Sequence, residues 1–224
     1  MATTTQQLYD KTTDILDGES TSVSLFLTLV ALAKNKREAE KPWQFLKKED
    51  SSQSASAGDT YLSMKTLPTD FAWALHVFVG TSFLEYQEVP FEERRYWRDA
   101  ARRFYIDLRN SQFAITGTGE SGSIFLQYTA FTSDPVALGD TMPTAWPDRF
   151  LPLLSFDVAA LYRGGTDFDD VNARMGAENR LAAKMLYAAM VSWNTILTLR
   201  AMNQQSRRTP LDISKVANVP NISW

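Results

Sequence analysis

The sequence predicts an α+β fold dominated by helices: a helical bundle with a small antiparallel β-sheet or hairpin inserted in it, and an extended C-terminal arm. Three observations lead there. Residues 1–48 and 146–205 carry helical apolar spacing with caps and stops. Residues 61–131 switch to short runs of β-branched and aromatic side chains broken by turn residues. Residues 206–224 follow neither pattern. On this reading residues 1–205 are a single domain, made of N-terminal helices (1–48), a β-rich insertion with one short helix (61–131) and C-terminal helices (146–205), with 206–224 as the arm.

The first helix is expected from a Thr3–Thr5 cap to about Leu16, with Leu8, Ile15 and Leu16 on one face and Gly18 as its stop. A second starts at Ser20 or Thr21, runs through VSLFLTLVALA and ends at Pro42. Trp43, Phe45 and Leu46 follow at once and should dock back on the core. Residues 49–60, EDSSQSASAGDT, are small and polar and read as a loop or mobile linker. In the insertion, WALHVFV and SFLEYQEV flank Gly80-Thr81 as a hairpin, and FEERRYWRDAARRF after Pro90 has Phe91, Tyr96, Ala100 and Phe104 at the spacing of a short helix.

Gly117-Thr118-Gly119-Glu120-Ser121-Gly122 spells G-x-G-x-x-G. A dinucleotide fingerprint needs a helix after the glycines, because the helix N-terminus holds the pyrophosphate. SIFLQYTAF follows instead, a β-rich run, so the glycines read as a hairpin turn. In the last third, Pro147 suits the first turn of a helix, and Pro152 lies early enough to be absorbed. Gly164-Gly165 stops that helix, and a longer one runs from about Phe168 to Gln204, with Met175, Leu181, Met185, Ala188, Ala189, Ile196 and Leu199 marking its expected buried side.

Composition closes several routes to chemistry. The chain of 224 residues has no cysteine and one histidine, His76, so thiolate chemistry and multi-histidine zinc sites are out. A net charge of −3 is a poor footprint for bulk nucleic-acid binding, which needs many phosphate-neutralising cations on one face. VSLFLTLVALA is too short to span a bilayer, and the N-terminus has no secretory pattern, so a soluble protein is expected. Asp167, Asp169 and Asp170 lack the spacing of a calcium loop and read as the acidic start of a helix. His76 lies in an apparent strand without a Ser-Asp partner pattern. No motif calls for a catalytic site, a metal or a cofactor, and none is expected. The enzyme alternative is a hydrolase using Asp70 with Glu85 or Asp107.

The arm, SRRTPLDISKVANVPNISW, alternates apolar residues and should dock on a partner. Arg207, Arg208, Leu211, Ile213, Val216, Val219, Ile222 and Trp224 are its candidate contacts, with a neighbouring subunit as one candidate partner.

The order of short motifs carries a resemblance. Pro42-Trp43-Gln44-Phe45-Leu46 ends the paired helices, and Leu67-Pro68-Thr69-Asp70-Phe71 opens the β part. Tyr105-Ile106-Asp107-Leu108 enters a hairpin expected to close with Ile124-Phe125-Leu126-Gln127-Tyr128, and Pro143-Thr144-Ala145-Trp146-Pro147-Asp148-Arg149-Phe150-Leu151-Pro152-Leu153-Leu154 opens the last helices. Over about residues 5–205 this resembles the head–tail adaptor (neck or connector) proteins of tailed bacteriophages. The resemblance implies a structural virion protein without a catalytic site, assembled in the bacterial host cytoplasm. It implies a homo-oligomeric ring, most often a dodecamer, between the portal protein and the next neck or tail protein. Double-stranded DNA would pass through its channel without sequence-specific binding. A tail-completion or minor tail protein is the alternative within the same virion.

Overall fold

The computed structural model describes residues 3–80, 85–116, 121–165 and 170–208. Helix α1 (Thr5–Ile15) starts at a capping box in which the Thr4 hydroxyl accepts from the Gln7 N–H and the Gln7 side chain accepts from the Thr4 N–H. It ends at Asp17 and Gly18, both at positive φ, where the Gly18 N–H reaches the Thr13 carbonyl at 2.9 Å. Helix α2 (Val23–Glu40) is capped by Ser22, two residues past the earlier of the expected caps, and Lys41 and Pro42 terminate it. After a 3-10 turn at Asp148–Phe150 come α3 (Leu151–Gly165) and α4 (Asp170–Arg208).

The β part is far larger than a hairpin, which corrects the expected bundle with a small insertion. Its strands are β1 (Lys47–Asp50), β2 (Ser54–Ala55), β3 (Lys65–Thr66), β4 (Phe71–Val79), β5 (Glu85–Glu88), β6 (Arg103–Asp107), β7 (Gln112–Thr116) and β8 (Gly122–Ala130). They form one sheet in the order β1-β8-β4-β5-β6-β7-β3, with β2 also on β8. The sheet curls into a half-barrel in a mixed α/β molecule that is 23% strand and 44% helix. Register shifts between Phe71 and Trp73 and between Ala74 and His76 bend β4 against β8. The inner face then closes on its own apolar side chains: Val77, Val79, Tyr86, Phe104, Phe113, Ile115, Ile124, Leu126 and Tyr128 are all buried.

Three further expectations fail in this sheet. The polar stretch 49–60 is not all loop, because β1 and β2 pair with β8 through the backbone, with Ala55 their one buried side chain. The segment after Pro90 is one 3-10 turn at Phe91–Glu93 followed by turns, not a helix. Its Phe104 lies in β6 instead, and the 14-residue span serves as the crossover that lets β6 run parallel to β5. The hairpin entered at Tyr105 closes with β7, through a tight connection with Ser111 at φ 50° and Asp107 accepting from Asn110. Residues 124–128 lie in β8, whose partners are β4, β1 and β2.

Of the glycine motif, residues 117–120 lie outside the described residues, but its last glycine explains itself. Gly122 has φ 139°, and a Cβ there would lie 3.1 Å from the Gly80 Cα; one on Gly80 would lie 3.3 Å from the Ser121 carbonyl oxygen. Two backbones pass in close contact where β4 ends and β8 begins, and a strand follows the motif, not a phosphate-binding helix.

A buried polar joint fixes the helices to the half-barrel. The Glu38 carboxylate of α2 accepts from the Trp146 indole N–H (2.7 Å), the Thr132 N–H (2.9 Å) and the Thr132 hydroxyl (2.5 Å). Lys34, one turn earlier, donates to the Thr132 carbonyl (2.6 Å) and to Asn35 (2.8 Å), and pairs with Asp134 at 3.0 Å. Both ionic side chains are fully buried and fully partnered, as a buried charge requires.

Candidate interaction surface

Helix α4 is 39 residues long, about 58 Å at 1.5 Å per residue, against about 22 Å for α3. Its inner face packs on α3 and on the 3-10 turns at Gln44–Leu46 and Asp148–Phe150 through buried Ala183 and Met190 and half-buried Leu186, Tyr187 and Trp193. Trp193 packs on Phe45 and Phe150, and the Arg149 guanidinium lies 4.4 Å from its ring centroid. From Thr195 to Ala201 no α4 residue is fully buried, and only Leu197, Thr198 and Ala201 are half-buried.

The expected buried side of α4 is its outer side. Leu181 is 61% exposed, Met185 70%, Ile196 47% and Leu199 55%, and Ala188 and Ala189 are exposed with them. Steps of three and four place Leu181, Met185, Ala188, Ser192, Ile196 and Leu199 on one stripe. At 100° per residue this stripe lies about opposite Ala183, Leu186 and Met190. The helix is therefore apolar on two faces, and the periodicity alone gives no reason to choose between them.

Helix α2 also has apolar surface to spare. Phe26, Val30 and Ala33 are buried, while Val23 and Leu25 are each 43% exposed and Leu32 is 56% exposed. Val23, Ser24, Leu27, Thr28 and Ala31 form, with Pro135 and Val136, a groove of about 710 Å³ lined by no charged residue. A helix apolar all round normally belongs to an interior, and exposed apolar surface of this extent marks interaction sites in soluble proteins.

Several charged groups are engaged in holding the fold. Arg37 of α2 makes a two-pronged pair with Asp157 of α3 (2.8 and 2.7 Å) and lies 4.6 Å over the Tyr187 ring of α4. Burial works against its charge, but Asp157 and Glu40 outweigh it and hold the guanidinium above its ordinary range. Burial and a hydrogen bond to Glu40 push Tyr187 up to about 12. At the sheet edge Asp70 is held by Lys48 (2.6 Å) and the Tyr128 hydroxyl (3.0 Å). Burial pushes its carboxyl up, and those two hydrogen bonds reverse the effect and leave it below the usual carboxylate range.

Of the hydrolase alternative's carboxylates, Asp70 and Glu85 are not brought together. Glu85 pairs with Phe78, eight residues along from Asp70, roughly 25 Å by strand rise. Asp70 takes Lys48 and Tyr128, Glu85 meets His76 Nδ1 at 2.5 Å, and Asp107 caps the Asn110 turn. His76 stacks on Phe78. Among the described residues no group of three or more histidines or carboxylates could hold a metal ion, and no helix is long and apolar enough to cross a membrane. Asp167 and Asp169 lie outside the described residues, and Asp170 opens α4. Arg207 and Arg208 form the end of α4, whereas Leu211, Ile213, Val216, Val219, Ile222 and Trp224 lie outside the described residues.

The chain matches no protein-family model and no curated protein.

Proposed function

We propose that this chain is a structural ring subunit of a tailed-bacteriophage neck, an adaptor between the portal protein and the next neck or tail protein. Double-stranded DNA would pass through its channel. One observation carries the reading on the structural side: two unlike apolar helix faces, on α4 and α2, are left bare on one chain. Unlike faces that fit one another make a heterologous contact, and such contacts close into rings when the rotation allows. The order of motifs supports the same reading, and α4 leads into the 206–224 arm, the proposed portal contact.

The experiment is the mass of the purified chain with and without the portal protein of the same virus, repeated after deletion of 206–224. The reading expects a portal complex that the deletion removes. A full-length chain that ignores the portal overturns the adaptor role, and a trimeric assembly would favour the tail-completion alternative.

A further inference from the structure

We propose that the outer stripe of α4 seats in the α2 groove of a second copy of this chain, so that subunits join head to tail through helix-on-helix packing. This deepens the ring reading and rests on it only for the closure of the chain of contacts into a ring.

The stripe asks for a helix. Leu181, Met185, Ala188, Ser192, Ile196 and Leu199 repeat in steps of three and four, the spacing at which side chains on one helix fit between those of another. The groove has the complementary form. Its lining includes Ser24, Thr28 and Ala31, small residues at steps of four and three, beside the larger Val23, Leu27 and Val136. Large side chains on one surface thus face small ones on the other, which lets two helices approach closely. Neither strip contains a charged residue, so docking desolvates no ion.

The rims differ in sign. Exposed Arg180, Lys184 and Arg200 flank the α4 stripe, where Glu178 is paired with Arg174. Exposed Glu19 precedes the groove's Val23 by four residues, Asp134, paired with Lys34, adjoins its Pro135, and Asp140 holds the Val136 and Ala137 N–H groups at 2.8 Å each. A basic rim against an acidic one orients the contact. The placement also suits head-to-tail addition. Helices α2 and α4 both pack on α3, and the two bare faces lie on different helices of one subunit. A subunit using one face leaves the other free.

The test uses two full-length variants, each with a charge at an exposed position: Met185→Glu spoils the stripe and Thr28→Glu spoils the groove. Sedimentation and native mass are read for each alone, for their equimolar mixture and for the unmodified chain. The expected result is self-association of the unmodified chain, weakened at least about tenfold in either variant alone, and a discrete 1:1 dimer in the mixture, where one intact stripe meets one intact groove. Unchanged melting curves show that both variants fold. Self-association of Thr28→Glu at the unmodified strength overturns the proposal, since stripe would then meet stripe. So does a monomeric unmodified chain, or assembly that disappears on deletion of 206–224 but survives Met185→Glu, which would put the arm in the groove. Portal binding is scored separately: a dimerising mixture with no portal binding by the unmodified chain sinks the adaptor reading and leaves this contact standing.

Discussion

The half-barrel and the helical layer treat their apolar side chains in opposite ways. Among the large apolar residues exposed in the described structure, the strands contribute only Trp73. The helices contribute Val23, Leu25, Leu32, Leu161, Leu181, Met185, Ile196 and Leu199. A curled sheet can bury its inner face against itself, and the segments at 61–64 and 91–97 cover Val89, Tyr105 and Ala114 on the outside. A helix cannot fold over its own back. One with two apolar faces in a layer that covers only one of them leaves the other bare, and α4 is that case. The strands leave little apolar surface bare, although Leu62, Tyr96 and Leu108 are exposed in their connections, and on the proposed reading the helical layer is one side of an interface.

The comparison breaks first at the joint between the two regions. Glu38→Ala leaves Lys34 buried with a lost counter-charge and strips acceptors from Trp146 and Thr132. A loss of about 3–5 kcal/mol is expected, read by urea unfolding. Inside the half-barrel, Ile115→Ala removes a fully buried side chain and should cost about 2–5 kcal/mol, with no effect on assembly beyond that of lost stability. In the helical layer the pattern inverts. Leu199→Gln changes an exposed residue and should leave monomer stability within about 0.5 kcal/mol, while weakening self-association measured by sedimentation.

The smallest effect belongs to the sheet edge. Asp70→Asn loses a partly exposed pair with Lys48 and should cost no more than about 1 kcal/mol. Because the folded carboxyl titrates below its ordinary value, its contribution is complete above an unfolded value near about 3.9. It is lost as pH falls through the lower folded value. The difference between Asp70→Asn and the unmodified chain should therefore be constant from neutral pH to about pH 5 and shrink below about pH 4. Thermal melts across that range check it.

The sequence showed the local signals and hid the long-range ones. Thr4, Gly18, Pro42 and Pro147 mark helix ends by cap and breaker chemistry that acts within a few residues. The strands β1 and β2 left no such mark, since KKED and SA are held by the backbone of β8, 67 to 82 residues away. Phe91, Tyr96, Ala100 and Phe104 gave a helical spacing by coincidence, and tertiary demand for a crossover decided their fate. On α4 the apolar stripe was visible and its direction was not. Only the placement of α3 tells which of the two faces is inside, and the residues expected in the core are the ones left over for a partner.

Sedimentation of the unmodified full-length chain over a wide concentration range tests the central claim most directly. The account predicts association that grows with concentration and ends in a single closed species of defined mass. A monomer at every concentration up to the solubility limit would contradict it, and the bare faces of α2 and α4 would then need another occupant.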